Sequence, residues 1–255
     1  MSLDETALRD AIFQRPTDDG ARLEYSDWLL ARGDPYGEFL SASLRGNQAR
    51  AATLLPTVAE RAAGGLSRRP RFADFRRGFL ANVEFSDLAR RALDCEGWQL
   101  VERLTVAKLP AFKPEGLAQV ASRGLLSSLQ HFTGIGEGLE ALGSLQRPLV
   151  SIEVTALSRP LSLGALRGPQ TSLAARFGFL ELDAGGNTVS LLIDWHTAPP
   201  AAPELAPLLA SFIRPTDAIQ LQTVDGAEVF RDQVLLALQR VPHASVGPRP
   251  EMIKR

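Results

Sequence analysis

Cysteine occurs once, at position 95, and histidine three times, at positions 131, 196 and 243. A single thiol excludes an internal disulfide framework and any zinc site built on several cysteines. None of the histidines is spaced with another His, Cys, Asp or Glu as a local metal motif requires, so no metal or cofactor is expected. No run of about 18 apolar residues exists, so no membrane-spanning helix is expected. Neither sign of charge is in excess: 28 Lys and Arg face 29 Asp and Glu, for a net charge of −1. That balance argues against a general binder of polyanions. The start, MSLDETALRD, carries acids and lacks a basic segment followed by an apolar run, so it does not read as a signal peptide. A cytoplasmic, reducing location is the expectation. The chain also lacks a serine nucleophile elbow, an HExxH helix, paired catalytic carboxylates and the Gly-Lys-Ser/Thr of a phosphate loop.

What remains is ordinary for a globular protein. The 255 residues are 45% hydrophobic, enough to bury a full core as one large domain or as a repeat array with a small cap. The most informative stretch is 16–40, PTDDGARLEYSDWLLARGDPYGEFL. Pro16 stops the preceding helix. Asp18 and Asp19 suit the amino end of a new one. Leu23, Tyr25, Trp28, Leu29 and Leu30 supply its apolar surface. Gly33 is placed to end it in the left-handed conformation, and Asp34-Pro35 caps and opens the next helix. The acids here do not have the spacing of a calcium loop.

The spelling DD-x-x-R-L-x-Y-[AS]-D-W-L followed by R-G-D-P-x-G-E-F resembles the short "repeat-companion" domain of myxobacteria and planctomycetes. The resemblance covers about residues 3–44 and rests on Asp18, Asp19, Arg22, Leu23, Tyr25, Asp27, Trp28, Leu29, Gly33, Asp34, Pro35, Gly37 and Glu38. Ser26 stands where alanine is more usual. The resemblance implies a helical domain preceding irregular leucine-rich repeats, and it implies no activity.

Farther on, Ala49 to Ala63 reads as helical, with Pro56 as a break or a new first turn, ended by Gly64-Gly65. Residues 66–78, LSRRPRFADFRRG, hold five arginines at 68, 69, 71, 76 and 77. The simplest reading is a linker whose Phe72 and Phe75 pack while the arginines stay solvated or pair with nearby acids. The alternative is a nucleic-acid patch in which arginines meet phosphates and the rings stack.

From Phe79 the template L-x-x-L-x-L recurs: Leu80, Val83, Phe85; Val101, Leu104, Val106; Leu126, Leu129, His131; Leu149, Ile152, Val154. The central positions are 21, 25 and 23 residues apart, within the range of leucine-rich repeats. Helical pieces lie between them, opened by Ser86 or Asp87, by Pro114-Glu115 and by Glu137. The asparagine or cysteine that usually ends the strand motif is missing. Two strands at 175–183 and 188–195, joined by Gly185-Gly186-Asn187, read as an antiparallel hairpin interrupting the array; a shortened repeat is the alternative. Leu161 to Ala174 reads as loop or degenerate helix. Helices around 204–212 and 229–238, a strand at Ile219 and Leu221, a weak strand near Val246 and a polar, loose tail complete the chain.

The expected fold is therefore α/β: a helical N-terminal cap, then an irregular leucine-rich-repeat-like solenoid with a curved, mostly parallel sheet and a β-hairpin interruption. Its divisions are residues 1–65, an Arg-rich linker 66–78, the repeat domain 79–248 and a tail 249–255. Gly134-Ile135-Gly136-Glu137-Gly138 resembles a phosphate loop, but position 139 is leucine where a dinucleotide fingerprint needs glycine, so a turn into a repeat helix accounts for it. Cys95, placed at a helix carboxyl end, is expected to have a raised pKa and to be inert.

Alternation along the strands puts Asn82, Glu84, Arg103, Thr105, Gln130, Ser151, Glu153 and Thr155 on the concave face, the surface that repeat arrays usually present to partners. Its mixed polarity suits a protein partner better than a nucleic acid. The leading reading is a non-enzymatic interaction protein. Two others stand beside it: a nucleic-acid-associated protein using Arg68, Arg69, Arg71, Arg76 and Arg77, and an enzyme in which Asp194, His196 or His131 converge.

Overall fold

The structure is a computed structural model. It describes residues 4–67, 70–85, 87–107, 113–156, 160, 162–168, 170–176, 180–185, 188–193, 202–214, 216–224, 228–242, 245–246 and 251–253. The chain divides into two units: Met1–Thr105 with Glu115–Leu129, and Val106–Pro114 with Gln130–Arg255. Both mix helices and strands.

The first unit opens with four helices: α1 Glu5–Gln14, α2 Asp19–Leu30, α3 Pro35–Leu44 and α4 Gln48–Ala63. Their boundaries follow the local chemistry. Asp18 Oδ1 accepts from the Gly20 N–H at 2.8 Å, and Asp34 Oδ1 accepts from the Tyr36 N–H at 2.9 Å. Gly33, with φ +69°, closes the end of α2, as its lack of a Cβ permits. The buried stripe of α2 differs from the apolar reading of its sequence. It consists of Ala21, Arg22, Tyr25, Ser26 and Leu29, whereas Leu23 and Leu30 are exposed. Two polar residues enter the stripe because each has something to hold. Ser26 Oγ donates to the Gly37 carbonyl at 2.8 Å. Arg22 donates to the Asp18 carbonyl at 3.1 Å and stacks on the Phe79 ring. Pro56 does not break α4, which runs through it. The lost backbone bond is offset by burial of Leu55 and Val58 on either side.

The Arg-rich segment is structured in its described part. A single 3-10 turn, Phe72–Asp74, leads into a small hairpin of β1 Phe75–Arg76 and β2 Phe79–Leu80. Arg77 and Gly78 between them have φ of 52° and 80°, the double left-handed geometry that suits a two-residue hairpin. Phe72, Phe75 and Phe79 pack against the helical core, and the Tyr36 hydroxyl donates to the Gly78 carbonyl at 3.1 Å. Next come β3 Asn82–Glu84, α5 Asp87–Arg91, a 3-10 turn Glu96–Leu100 and β4 Arg103–Val106. Strands β3 and β4 pair in parallel, Val83 opposite Leu104. Along β3, Asn82 Nδ2 donates to the Ala73 carbonyl and the Ala81 N–H to the Asp74 carbonyl, so the 3-10 turn contacts that strand. Helix α6 Pro114–Ser122 ends before Gly124, which has φ +72°.

The second unit is built on a sheet of β5 His131–Ile135, β6 Ser151–Ala156, β7 Ser172–Arg176, β8 Leu180–Gly185, β9 Thr188–Ile193 and β10 Ala218–Val224. Pairing is parallel for β5–β6, β6–β7 and β9–β10, and antiparallel for β7–β8 and β8–β9. The expected hairpin is present as β8 and β9, although Gly186-Asn187 lies outside the described residues. The single strand expected over 175–183 is instead two strands that pair with each other, Ala175 opposite Leu182. Residues 172–174, expected as loop, belong to β7. Glu251–Ile253, expected as loose tail, forms β12. It pairs in parallel with Gln222–Val224, whereas β11, Ser245–Val246, covers only the first two residues of β10. The longer β10 thus has free ladder positions that a polar tail can fill through its backbone.

Helix α7 Gly136–Glu140 packs on β5 and β6, α9 Glu228–Leu238 packs on β10, and α8 Ala202–Ala210 packs on α9. One face of the sheet is apolar and buried: Phe132, Ile152, Val154, Leu173, Ala175, Leu182, Ile219 and Leu221. The glycines of 134–138 serve close packing. A Cβ on Gly134 would stand 2.4 Å from the Val106 carbonyl oxygen, and one on Gly138 would stand 2.9 Å from Val106 Cγ1. Val106, at the end of β4, fills the space these residues leave.

Candidate functional site

Among the described residues, the opposite face of the second unit's sheet is mostly polar. Side chains alternate across a strand; Glu153, Ser172, Asp183 and Gln220 are exposed between buried neighbours, and Thr155 is exposed next to buried Val154. The register aligns them. Thr133 lies opposite Glu153, Glu153 opposite Ala174, and Ala174 opposite Asp183. Asp183 lies opposite Ser190, and Ser190 opposite Gln220. Across this one ladder the described face carries two carboxylates, with Ala174 between them. Neighbouring strands are about 4.8 Å apart, which sets the carboxylate-bearing positions about 10 Å apart. A second ladder places His131 opposite Ser151 and Ser151 opposite Ser172. His131 Nδ1 lies 2.7 Å from Ser151 Oγ, which orients both side chains.

Of the residues expected on the binding face, Ser151, Glu153 and Thr155 lie on this surface, with Glu153 and Thr155 exposed. Gln130 lies one residue before β5. Its carbonyl accepts from the Val150 and Ser151 N–H groups. The polar positions of that strand are His131 and Thr133, because Phe132 takes the inward position the repeat template assigns to His131. A shift of one residue exchanges the two faces of a strand. In the first unit, Asn82 lies opposite Arg103 and Glu84 opposite Thr105. Glu84 and Arg103 are exposed, and Asn82 is tied to the Ala73 carbonyl. Sequence reasoning missed Asp183 and Gln220. Placing Asp183 requires knowing that β7 and β8 are separate strands.

Two arginines of the basic segment, Arg76 and Arg77, are engaged through their side chains. Arg76 pairs with Glu102 at 2.5 Å. Arg77 pairs with Asp19 at 3.4 Å and donates to the Thr17 carbonyl at 3.1 Å. Arg68 and Arg69 lie outside the described residues, as do Asp194, His196 and His243. Among the described residues no group of three or more His, Cys, Asp or Glu is placed to hold a metal ion. Among them, too, no helix is long and apolar enough to cross a membrane.

A second concentration of polar groups lies within the helices of the first unit. The Tyr25 hydroxyl donates to Glu5 Oε1 at 2.8 Å, and Arg61 Nη2 donates to the same oxygen at 2.7 Å. The other arm of Arg61 is bound to Asp34. The Tyr25 hydrogen bond, against the cost of burial, holds the Glu5 carboxyl below its ordinary value of 4.5. Burial, reinforced by Glu5, pushes Tyr25 up to about 12, and burial raises Tyr36 further still. Burial acts to lower the pKa of Arg61, but Tyr25, Asp34 and Glu5 outweigh it and raise it. Cys95 is not at a helix carboxyl end; it precedes the 3-10 turn Glu96–Leu100. Its thiol is raised by burial, and it donates to the Gly64 carbonyl at 2.8 Å.

The Glu5 cluster makes stability dependent on acid. A carboxyl depressed in the folded state contributes fully above its unfolded value near 4.5, and the contribution is lost as pH falls through the folded value. Urea denaturation at a series of pH values below about 5 is expected to show a shallower acid loss for Glu5→Gln than for the wild type. Equal slopes would remove Glu5 from the account.

Comparison with protein-family models, with curated proteins and with solved structures finds no match.

Proposed function

We propose that this chain is a non-enzymatic binding module that holds a protein partner on the open strand face of its second unit. One observation carries the reading. Parallel strands are normally covered on both sides, yet the described residues of this mostly parallel sheet bury one face and expose the other. Among the described residues, the open face carries short polar side chains around Glu153 and Asp183, with Ala174 between them. Short polar groups and spaced carboxylates suit the basic and hydroxyl side chains of a folded protein surface. In this reading the strands from β3 onward are irregular leucine-rich-type repeats, and helices α1 to α4 are a repeat-companion-like cap on the first of them. Pairing of Arg76 and Arg77 with carboxylates weighs against the nucleic-acid alternative, because bound acids compete with phosphates.

Affinity capture with Glu153→Lys/Asp183→Lys, against wild type and against Asp232→Lys on the exposed surface of α9, tests this. All three positions are exposed, so the fold is preserved. The face variant is expected to lose its protein partner by roughly a hundredfold, for two charge-assisted contacts at about tenfold each. Asp232→Lys is expected to retain it. Retention of every partner by the face variant would contradict the proposal.

A further inference from the structure

Within the first unit, residues of α1, α2, α3 and α4, of β2 and of the Glu96–Leu100 turn line a solvent-open cavity of about 160 Å³. Its wall is mixed, and the apolar part is formed by Phe13, Leu66, Leu80 and Leu100, with the rings of Tyr36 and Phe79. An engineered apolar cavity of ~150 Å³ takes up a benzene ring, so this one is large enough for one ring or a branched chain of similar volume.

The polar groups on the wall divide into two kinds. Most have their hydrogen bonds made within the protein. Tyr25 and Arg61 bind Glu5, Tyr36 binds the Gly78 carbonyl, and the Cys95 thiol binds the Gly64 carbonyl. Both arms of Arg61 are thereby occupied, by Glu5 and Asp34. Arg9 differs. Its ion pair with Glu96 is 3.6 Å long, beyond hydrogen-bonding distance. Both side chains are about half exposed, at 44% and 52%. Such a pair contributes little and exchanges readily. The Arg9 guanidinium also lies over the Phe13 ring at 5.7 Å, which sets it beside the apolar part of the wall. The cavity therefore combines a ring-sized apolar body with one cation whose planar donors are poorly engaged.

We propose that this cavity is a binding site for a small monocarboxylate with an aromatic or branched aliphatic body, the body filling the space beside Phe13 and the carboxylate meeting Arg9. A guanidinium matches a carboxylate in a two-pronged geometry that a neutral or cationic head group does not offer. This inference is independent of the open sheet face.

The test is an amide NMR titration of the full chain with benzoate as the probe, with benzyl alcohol and benzylamine as neutral and cationic counterparts of the same body. Benzoate is expected to shift the amides of Gly64 and Gly97 saturably and to bind roughly tenfold more tightly than benzyl alcohol, the increment of one charge-assisted contact. Arg9→Gln is expected to erase that difference while leaving the alcohol unaffected. Saturating benzoate should also slow alkylation of Cys95 in the wild-type protein several-fold, a readout that needs no variant. Absence of saturable shifts at these amides, equal binding of acid and alcohol, tighter binding of the amine, or an Arg9→Gln variant that binds benzoate normally would each overturn the proposal.

Discussion

Replacing Asp217 with alanine is expected to destabilise the second unit by about 3–5 kcal/mol, the cost of stranding a buried charge. The Asp217 side chain is completely buried. Its two oxygens accept from the Arg214 N–H at 2.7 Å, from Arg214 Nε and Nη2 at 3.1 and 2.9 Å, and from Arg167 Nη2 at 3.0 Å. Arg167 is itself only 6% exposed, and it also donates to the Phe212 carbonyl. Removing the carboxylate leaves that guanidinium buried with its charge uncompensated. Burial already lowers the pKa of Arg167, and Asp217 is what opposes this. The pair as a whole need not stabilise the fold, since apolar replacements of buried ion pairs are often neutral or better. Urea denaturation should therefore show Asp217→Ala losing more stability than Arg167→Met/Asp217→Ala. A double variant worse than the single one would contradict the account of the uncompensated charge.

The second large effect is expected at Gly78, where valine should cost about 2–5 kcal/mol, the sum of a left-handed backbone penalty and an overpacking term. The residue has φ +80°, which a β-branched side chain resists. A Cβ there would stand 2.4 Å from Leu40 Cδ2 and 3.2 Å from Leu40 Cα. Leu40 is completely buried in the helical core, so it has little room to withdraw. The hairpin must then move away from α3, and the Tyr36 bond to the Gly78 carbonyl is lost with it. Gly33 separates the two causes. It has φ +69° and no atom within 4 Å of the same position. Gly33→Ala is expected to cost only about 1–2 kcal/mol, from the backbone alone. Comparable losses for Gly33→Ala and Gly78→Val in the same denaturation series would show that contact with Leu40 contributes nothing.

These residues show how far the sequence could be read. The helix ends were legible because Asp18, Gly33, Asp34 and Pro35 act within three or four positions of themselves. The inward positions of β3, β4 and β6 were legible because Val83, Leu104, Ile152 and Val154 keep a clean alternation. What could not be read depends on partners distant along the chain. Arg22 and Ser26 look like surface residues until Phe79 and the Gly37 carbonyl are placed over them. That Phe72 and Phe75 pack could be expected, but the hairpin they enter and the place of Phe79 on the helical core could not. The turn from Gly134 into a helix was legible, but the close packing that requires Gly134 and Gly138 shows only once Val106 is placed beside them. The register of β5 was off by one because Leu129 and Phe132 are both buried and satisfy the repeat template equally well. The cavity beside Arg9 has no sequence signature, since its wall draws on six separate segments.

The open sheet face remains the centre of the functional reading, and photo-crosslinking tests it most directly. A photoreactive amino acid placed at Thr155, exposed on that face, should form an adduct with a protein partner in the native host. The same probe at Asp232, on the exposed surface of α9, should not. Adducts at Asp232 and none at Thr155 would contradict the account.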